Sequence, residues 1–411
     1  MVRSHLQTTN NARVIESNIE TFVLFLLVCA AVAVLSKRIP IPFVVILAVL
    51  GVGAGSLLGT GRVTLTPPLI LFILLPGLLF EAAFRLEWER LRAGLVPILA
   101  LATIGVLATT AVVAFFGHLV LGLGVDAAVV FGCVVAPTDP VAVVAVFRRL
   151  GVPEQLVTII EAESLVNDGT AVVLFTIALA AASGTTSSVP DVLLTLMRLV
   201  VVGLAIGALM GAALSWLVAR VDDPQVEITV TAICAYGTYL AGDRAGASPI
   251  LAVVVAAVIM GNYGRQHGMS PRTKEAVDAV WDYVTFVLNS ATFLLIGFAV
   301  PWQELTSRVG AIGLAFAVVL AARAIAVYGV LGVLRPFGRH ISFAWQHLLV
   351  WSGLRGAVAI ALLLTLVGRG GDFDTARALA YGVVLLSIVV QGTTVGPLSR
   401  RLITSRSQSS G

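Results

Sequence analysis

The sequence predicts an all-α polytopic membrane protein with about 13 transmembrane helices. Three observations carry that prediction. Of the 411 residues, 58% are hydrophobic and only 12% are charged, and the mean hydropathy is +1.01. A soluble domain has no interior large enough to hide so much apolar surface. Second, apolar stretches long enough to span a bilayer recur along the whole chain. They fall near 19–36, 41–58, 67–84, 94–121, 126–147, 155–182, 190–219, 226–242, 248–262, 279–300, 309–334, 343–366 and 375–399. Third, the loop charges sort by side. With an odd number of spans, loops on the C-terminal side hold Lys37, Arg38, Arg85, Arg90, Arg92, Arg148, Arg149, Arg220, Arg265, Arg272, Lys274, Arg335, Arg339, Arg400, Arg401 and Arg406. The other side holds Arg3, Arg13, Arg62, Arg244, Arg308 and Arg369, a split of sixteen against six. The positive-inside rule then puts the C-terminus in the cytoplasm and the N-terminus outside.

The same composition excludes other classes. A net charge of +4, spread over many loops, gives no basic face for nucleic acid. Cys29, Cys133 and Cys234 all lie in apolar stretches and read as packing residues, without a disulfide or metal role. Residues 1–18 form a polar segment without the charged start and small-residue cleavage site of a signal peptide. The first apolar span should therefore stay in place as a helix.

Taken in order, the spans differ in what interrupts them. The third reads ILLPGLLFEAAF and carries Glu81. The fifth reads FGCVVAPTDPVAVVAVF, with Pro137 and Pro140 bracketing Thr138 and Asp139. Proline removes a backbone donor and disfavours helix in the residue before it, so the chain should unwind around 136–140. Broken backbone at membrane depth is tolerated where it lines a cavity or is buried in protein. The sixth span holds EAESLVNDGT, with Glu161, Glu163 and Asp168 within about two helical turns. A solvated helix end is the alternative, but AVVLFTIALAAA follows without a break. Residues four apart share a helix face, which pairs Glu163 with Asn167 and Ser164 with Asp168. The ninth span is short. Arg323 sits deep in the eleventh span and Arg355 deep in the twelfth, where Gly353 and Gly356 flank it. Arg198 and Arg377 lie nearer helix ends, within snorkelling reach of water.

Interrupted helices at matching places in two halves point to a transporter's binding site. Here the fifth and twelfth spans match if the chain is two inverted six-helix repeats, spans 1–6 and 8–13, with span 7 between them. Ionisable groups at that depth are costly and usually functional. Asp168 is the first choice for the ion-binding carboxylate, because a buried carboxylate with no fixed partner can trade a proton for a cation. Hard cations prefer oxygen ligands, and Ser164, the Thr138 carbonyl and Asp139 would complete an oxygen-rich set. Thr138 and Asp139 read equally as a cap on a half-helix. Glu163 and Asn167 are the expected partners of Arg355 in a structural ion-pair cluster. Glu81 and Arg323 remain, and pairing them rests on symmetry alone. Glu161 either lines an entrance funnel or sits at a wet helix end.

APTDPVAV at Ala136–Val143 and ESLVNDGTA at Glu163–Ala171 resemble signature segments of the monovalent cation/proton antiporters, in their NhaP and sodium/proton exchanger branch. LPGLLFEAAF around Glu81 and GLRGAVAIAL from Gly353 resemble the same family. The resemblance implies a homodimer with no cofactor, exchanging Na+ (Li+ or K+ as alternatives) for H+ in the cell inner membrane, with a role in pH regulation. It implies two crossing interrupted helices inside a mobile core that shifts, elevator-like, against a dimerisation scaffold. Within a single transmembrane unit at 19–400, the core would include 94–182 and 309–399, and the scaffold 19–58 and 190–262. It places the ion-binding aspartate on Asp168, its companion on Asn167, and the preceding pair on Ser164 and Glu163. The broken-helix pair falls on Thr138 and Asp139, and the family's arginine on Arg355. In the related electrogenic branch an aspartate replaces the asparagine, so Asn167 implies electroneutral exchange. Ser248-Pro249 departs from the expected serine-glycine. The short tail at 401–411 implies a prokaryotic transporter. Rival readings are a potassium/proton antiporter at the same site, a channel, and an intramembrane aspartyl protease using Asp139 and Asp168. No GxGD stretch surrounds either aspartate.

Overall fold

The computed structural model describes residue 20 and residues 22–39, 41–58, 66–184, 188–300, 302–338 and 341–407. The polar segment 1–18, residues 408–411 and the loop charges Arg3, Arg13, Arg62 and Arg339 lie outside them. The chain folds as helices throughout the described residues, which include no strand. Among the described residues a single isolated β-bridge joins Asp139 to Leu354.

The helices follow the apolar spans: α1 Phe22–Ser36, α3 Leu69–Phe84, α4 Trp88–Leu119, α10 Pro249–Gly268 and α15 Asp372–Leu402, with α2 Phe43–Leu58 between the first two. The fifth span is two helices, α5 Val125–Val135 and α6 Val141–Leu150. Then come α7 Glu154–Ala182, α8 Val189–Val218 and α9 at 224–244. Next are α11 Pro271–Phe298 and α12 Val309–Leu334. The twelfth span is again two helices, α13 Phe343–Trp351 and α14 Ala357–Leu364. Among the described residues, seven helices are long and apolar enough to cross a membrane.

Polar starts fix several helix beginnings. The Asp223, Ser248 and Ser270 side chains each accept a backbone N–H from the first turn, and each precedes a proline at the first helical position. Proline loses nothing there, since that N–H has no helical partner. Ser248-Pro249 is thus a helix start. The ninth span, expected to stop near 262, runs on to Gly268 through a wider π turn at Met260–Gly264. Asn262 in that turn donates to the Leu86 and Val258 carbonyls and accepts from the Trp88 N–H. These bonds let a polar stretch continue as helix.

Helices α4 to α7 pack with α12 to α15, while α2, α3 and α8 to α11 pack mainly with one another. The α8–α10 contact is close because Gly203, Gly207 and Gly211 form a stripe against Ser248, Ala252 and Ala256. Small residues in this pattern let helix backbones approach inside a bilayer. Helix α8 turns outward the opposite way: Leu194 and Leu209 are each 71% exposed. Such side chains suit lipid contact, since lipid is no less apolar than a protein core.

Candidate ion-binding site at the paired helix breaks

Two interruptions meet at the centre of the molecule. Between α5 and α6 the chain unwinds at 136–140, and between α13 and α14 at 352–356. The Asp139 N–H donates to the Leu354 carbonyl at 2.7 Å, so the two breaks pair with each other as the isolated bridge. The proline pair creates the first break as expected. The second uses glycine: a Cβ on Gly356 would collide with the Asp139 carboxylate, and one on Gly353 would press on Thr138 and Arg323.

Helix α7 runs beside the first break and ties it down. The Thr138 N–H donates to Asn167 Oδ1 at 3.3 Å. Asn167 Nδ2 donates to Thr138 Oγ1 at 2.8 Å and to Glu163 Oε1 at 3.0 Å. Thr138 Oγ1 and Ser164 Oγ share a hydrogen bond of 2.9 Å. Asp139 Oδ1 accepts the Val141 N–H at 3.0 Å, which caps the start of α6. Helix spacing accounts for these contacts: Glu163 and Asn167 lie four apart on one face of α7.

The ion pairs differ from those expected. Glu163 pairs with Arg323, not Arg355: Arg323 Nη1 and Nη2 donate to Glu163 Oε1 and Oε2, both at 2.9 Å. Arg355 instead reaches the free carbonyls of the first break, donating to Pro137 O at 3.3 Å and Ala136 O at 3.5 Å. Its own N–H donates to Ser387 Oγ at 3.0 Å. Glu81 does not meet Arg323; it pairs with Arg85, one turn along α3, and Arg85 also contacts Asp282. Unwinding leaves carbonyls without helical donors, and those carbonyls, not a carboxylate, hold the Arg355 guanidinium.

Asp168 makes no side-chain hydrogen bond or ion pair among the described residues. It lines a cavity of about 70 Å³ together with Thr138, Asp139 and Ser164. The rest of the lining is mostly hydrocarbon, including Leu75, Leu78 and Leu79 of α3, with Asn289 of α11 as a polar member. Asn289 was not singled out in the sequence, although it interrupts the apolar run VTFVLNSATFLL.

Glu161 lies farther along α7, toward its start. Arg148 Nη2 donates to it at 2.9 Å. It lines a second cavity of about 450 Å³ with Arg85, Arg90, Arg148 and Arg265. All four arginines come from loops assigned to one side by the charge count.

An all-helical protein with apolar helices, two apposed helix breaks and a buried carboxylate beside them belongs to the class of secondary transporters. The comparisons agree. The model of the family described as "Sodium/hydrogen exchanger, transmembrane" matches residues 23–401. The chain belongs to that family, whose members are multi-pass membrane antiporters rather than enzymes. It is 38% identical over 396 residues to the Na(+)/H(+) antiporter ApNhaP of Aphanothece halophytica, covering 94% of this chain and 75% of the relative. It is 36% identical over 397 residues to the low-affinity Na(+)/H(+) antiporter NhaS1 of Synechocystis, with the same coverage. The sodium proton antiporter MjNhaP1 of Methanocaldococcus jannaschii shares the fold, with a TM-score of 0.78 at 21% identity over 94% of this chain and 98% of that one.

Proposed function

We propose that the chain exchanges Na+ for H+, one for one, with both ions competing for Asp168. The observation that carries this reading is the contrast between two carboxylates on one helix. Glu163 is neutralised by two hydrogen bonds from Arg323, whereas Asp168 has no such partner and faces a cavity lined with oxygens. Asp139 in the same cavity already accepts the Val141 N–H, which leaves Asp168 as the freer carboxylate to take either a proton or a cation. Asp168, Ser164, Thr138 and Asp139 form the cation's ligand set, and Asn167 and Glu163 hold that set in place. Asn167 carries no proton, so a single titrating group gives electroneutral exchange.

Competition couples the two fluxes. Moving an uncompensated charge through a bilayer centre costs at least about 2.5–3.5 kcal/mol. A bound proton or cation cancels the Asp168 charge, so the loaded site crosses and the empty site does not. Li+ and K+ offer the same chemistry, and a K+/H+ exchanger is the alternative.

The moving body in this proposal is a core of 94–182 and 309–399, sliding elevator-like against a scaffold that includes 19–58 and 190–262. The ion pairs support the division. Arg85–Asp282 and Arg265–Asp278 lie within one packed group. Arg90–Glu154, Arg148–Glu161 and Arg323–Glu163 lie within the other. Among the described residues, no ion pair joins a helix of one group to a helix of the other. A sliding contact with no ion pairs to break moves at lower cost. The wider assignment is thirteen spans in two inverted six-helix repeats, a homodimer built on the scaffold, and an inner-membrane position with the C-terminus in the cytoplasm. Glu161 then lines the cytoplasmic funnel.

The test is a pH-dye assay in proteoliposomes, adding Na+, Li+ and K+ in turn, with Asp168→Asn beside the wild type. Sodium-driven proton movement that disappears in the variant supports the proposal.

A further inference from the structure

We propose that Asn289 supplies an oxygen ligand to the transported cation in the cavity that it lines together with Asp168. The inference rests on the antiporter reading and extends it to a residue on the other packed group of helices.

Three features of Asn289 converge. It lies on α11 and lines the same cavity as Asp168, Thr138 and Ser164. The residue is only 8% exposed. Its Oδ1 atom is buried without a hydrogen-bond partner in the described structure. A buried amide oxygen left unpaired is destabilising, and such groups call for an explanation such as an ion or water. The neighbouring wall of α3 is leucine and alanine, so this oxygen has no protein donor to turn to. An amide carbonyl is a hard, neutral ligand of the type that alkali cations accept in place of water.

The cavity has the right scale. At about 70 Å³ it exceeds the roughly 10–15 Å³ that one water needs, so it has room for a cation and water. The other polar side chains of that lining, Thr138, Asp139, Ser164 and Asp168, all come from the core helices. Without Asn289 the residues that α3 and α11 contribute to the lining are all hydrocarbon, and they would offer the cation no ligand. The amide oxygen closes the shell without adding charge. A protonated Asp168 is neutral and carries no cation to solvate, so the amide oxygen contributes more to the cation-bound site than to the protonated one. Asn289 therefore favours the cation over the proton and sets cation affinity.

The test compares Asn289→Leu and Asn289→Ala with the wild type in proteoliposomes, measuring the apparent KM for Na+ and Li+ across a pH series. Thermal unfolding in detergent without Na+ is read beside it. The expected result is a KM for Na+ raised about tenfold, the scale of one lost ligand, with the proton's own competition constant moved less. Asn289→Leu should unfold no earlier than the wild type, because it removes an unpaired amide. Asn289→Ala gives the same KM readout if leucine overfills the cavity. Wild-type KM values in a folded variant would overturn the proposal. So would an equal shift of the cation and proton constants, which would mean a general disturbance of Asp168. A wild-type protein that moves no protons with any cation would instead sink the antiporter reading beneath it.

Discussion

Arg323 of α12 clasps Glu163 of α7 through two hydrogen bonds of 2.9 Å, with both side chains almost wholly enclosed. This pair decides which carboxylate stays fixed and which is left to bind ions. Its Nη2 group also reaches the Leu349 carbonyl at 3.4 Å, which links the pair to the second helix break through α13.

Removing one partner should therefore be worse than removing both. Breaking a buried pair strands a charge and costs about 3–5 kcal/mol, whereas replacing both partners by neutral groups of similar shape can be nearly neutral. Arg323→Met and Glu163→Gln should each lower the unfolding temperature in detergent, and the double variant should recover part of the loss. Additive losses in the double variant would show that the two residues are not energetically coupled.

Arg355 has a different task. Its guanidinium holds the Pro137 and Ala136 carbonyls at the first break, so it acts on the site through the backbone of Thr138. Hydrogen bonds to charged groups contribute about 1.5–3 kcal/mol. Arg355→Ala should lower both thermal stability and exchange, with Arg355→Lys partway between. An alanine variant of normal stability and rate would remove the role of the arginine in shaping the break.

Gly356 tests the contact between the breaks. A Cβ there would strike the Asp139 carboxylate, and Asp139 caps α6 through the Val141 N–H. Gly356→Ala should thus slow exchange at least tenfold, an added barrier of roughly 1.4 kcal/mol. Expression and membrane insertion should be normal. Unchanged exchange would mean that the two breaks can part without cost.

The pattern of what was legible in the sequence follows from these residues. Helix positions and both breaks depend on local chemistry, on apolar run length and on Pro137, Pro140, Gly353 and Gly356, and they could be read directly. The Glu163–Asn167 contact follows from helix spacing alone. Partners across helices could not be read: which arginine meets Glu163 depends on how α12 and α13 are rotated against α7, and tertiary packing sets that rotation. Glu81 is a milder case, because Arg85 lies four residues away and offered a local partner. Asn289 gave only the weak signal of one amide in an apolar run, since its meaning depends on what faces it.

Competition at one carboxylate predicts a specific pH response. Raising the proton concentration should raise the apparent KM for Na+, approaching tenfold per pH unit where protons dominate the site, by mass action. Saturating Na+ should restore the maximal rate at each pH. A maximal rate that falls with acid while KM holds steady would point to a separate inhibitory proton site.

The most direct test of the central claim is proton movement in proteoliposomes driven by a Na+ pulse, with wild type and Asp168→Asn reconstituted to equal amounts and shown to be folded. The account predicts dye recovery in the wild type and none in the variant, with equal thermal stability. Full exchange by Asp168→Asn would contradict it, because the cavity carboxylate that has neither a hydrogen bond nor an ion pair among the described residues would then be dispensable.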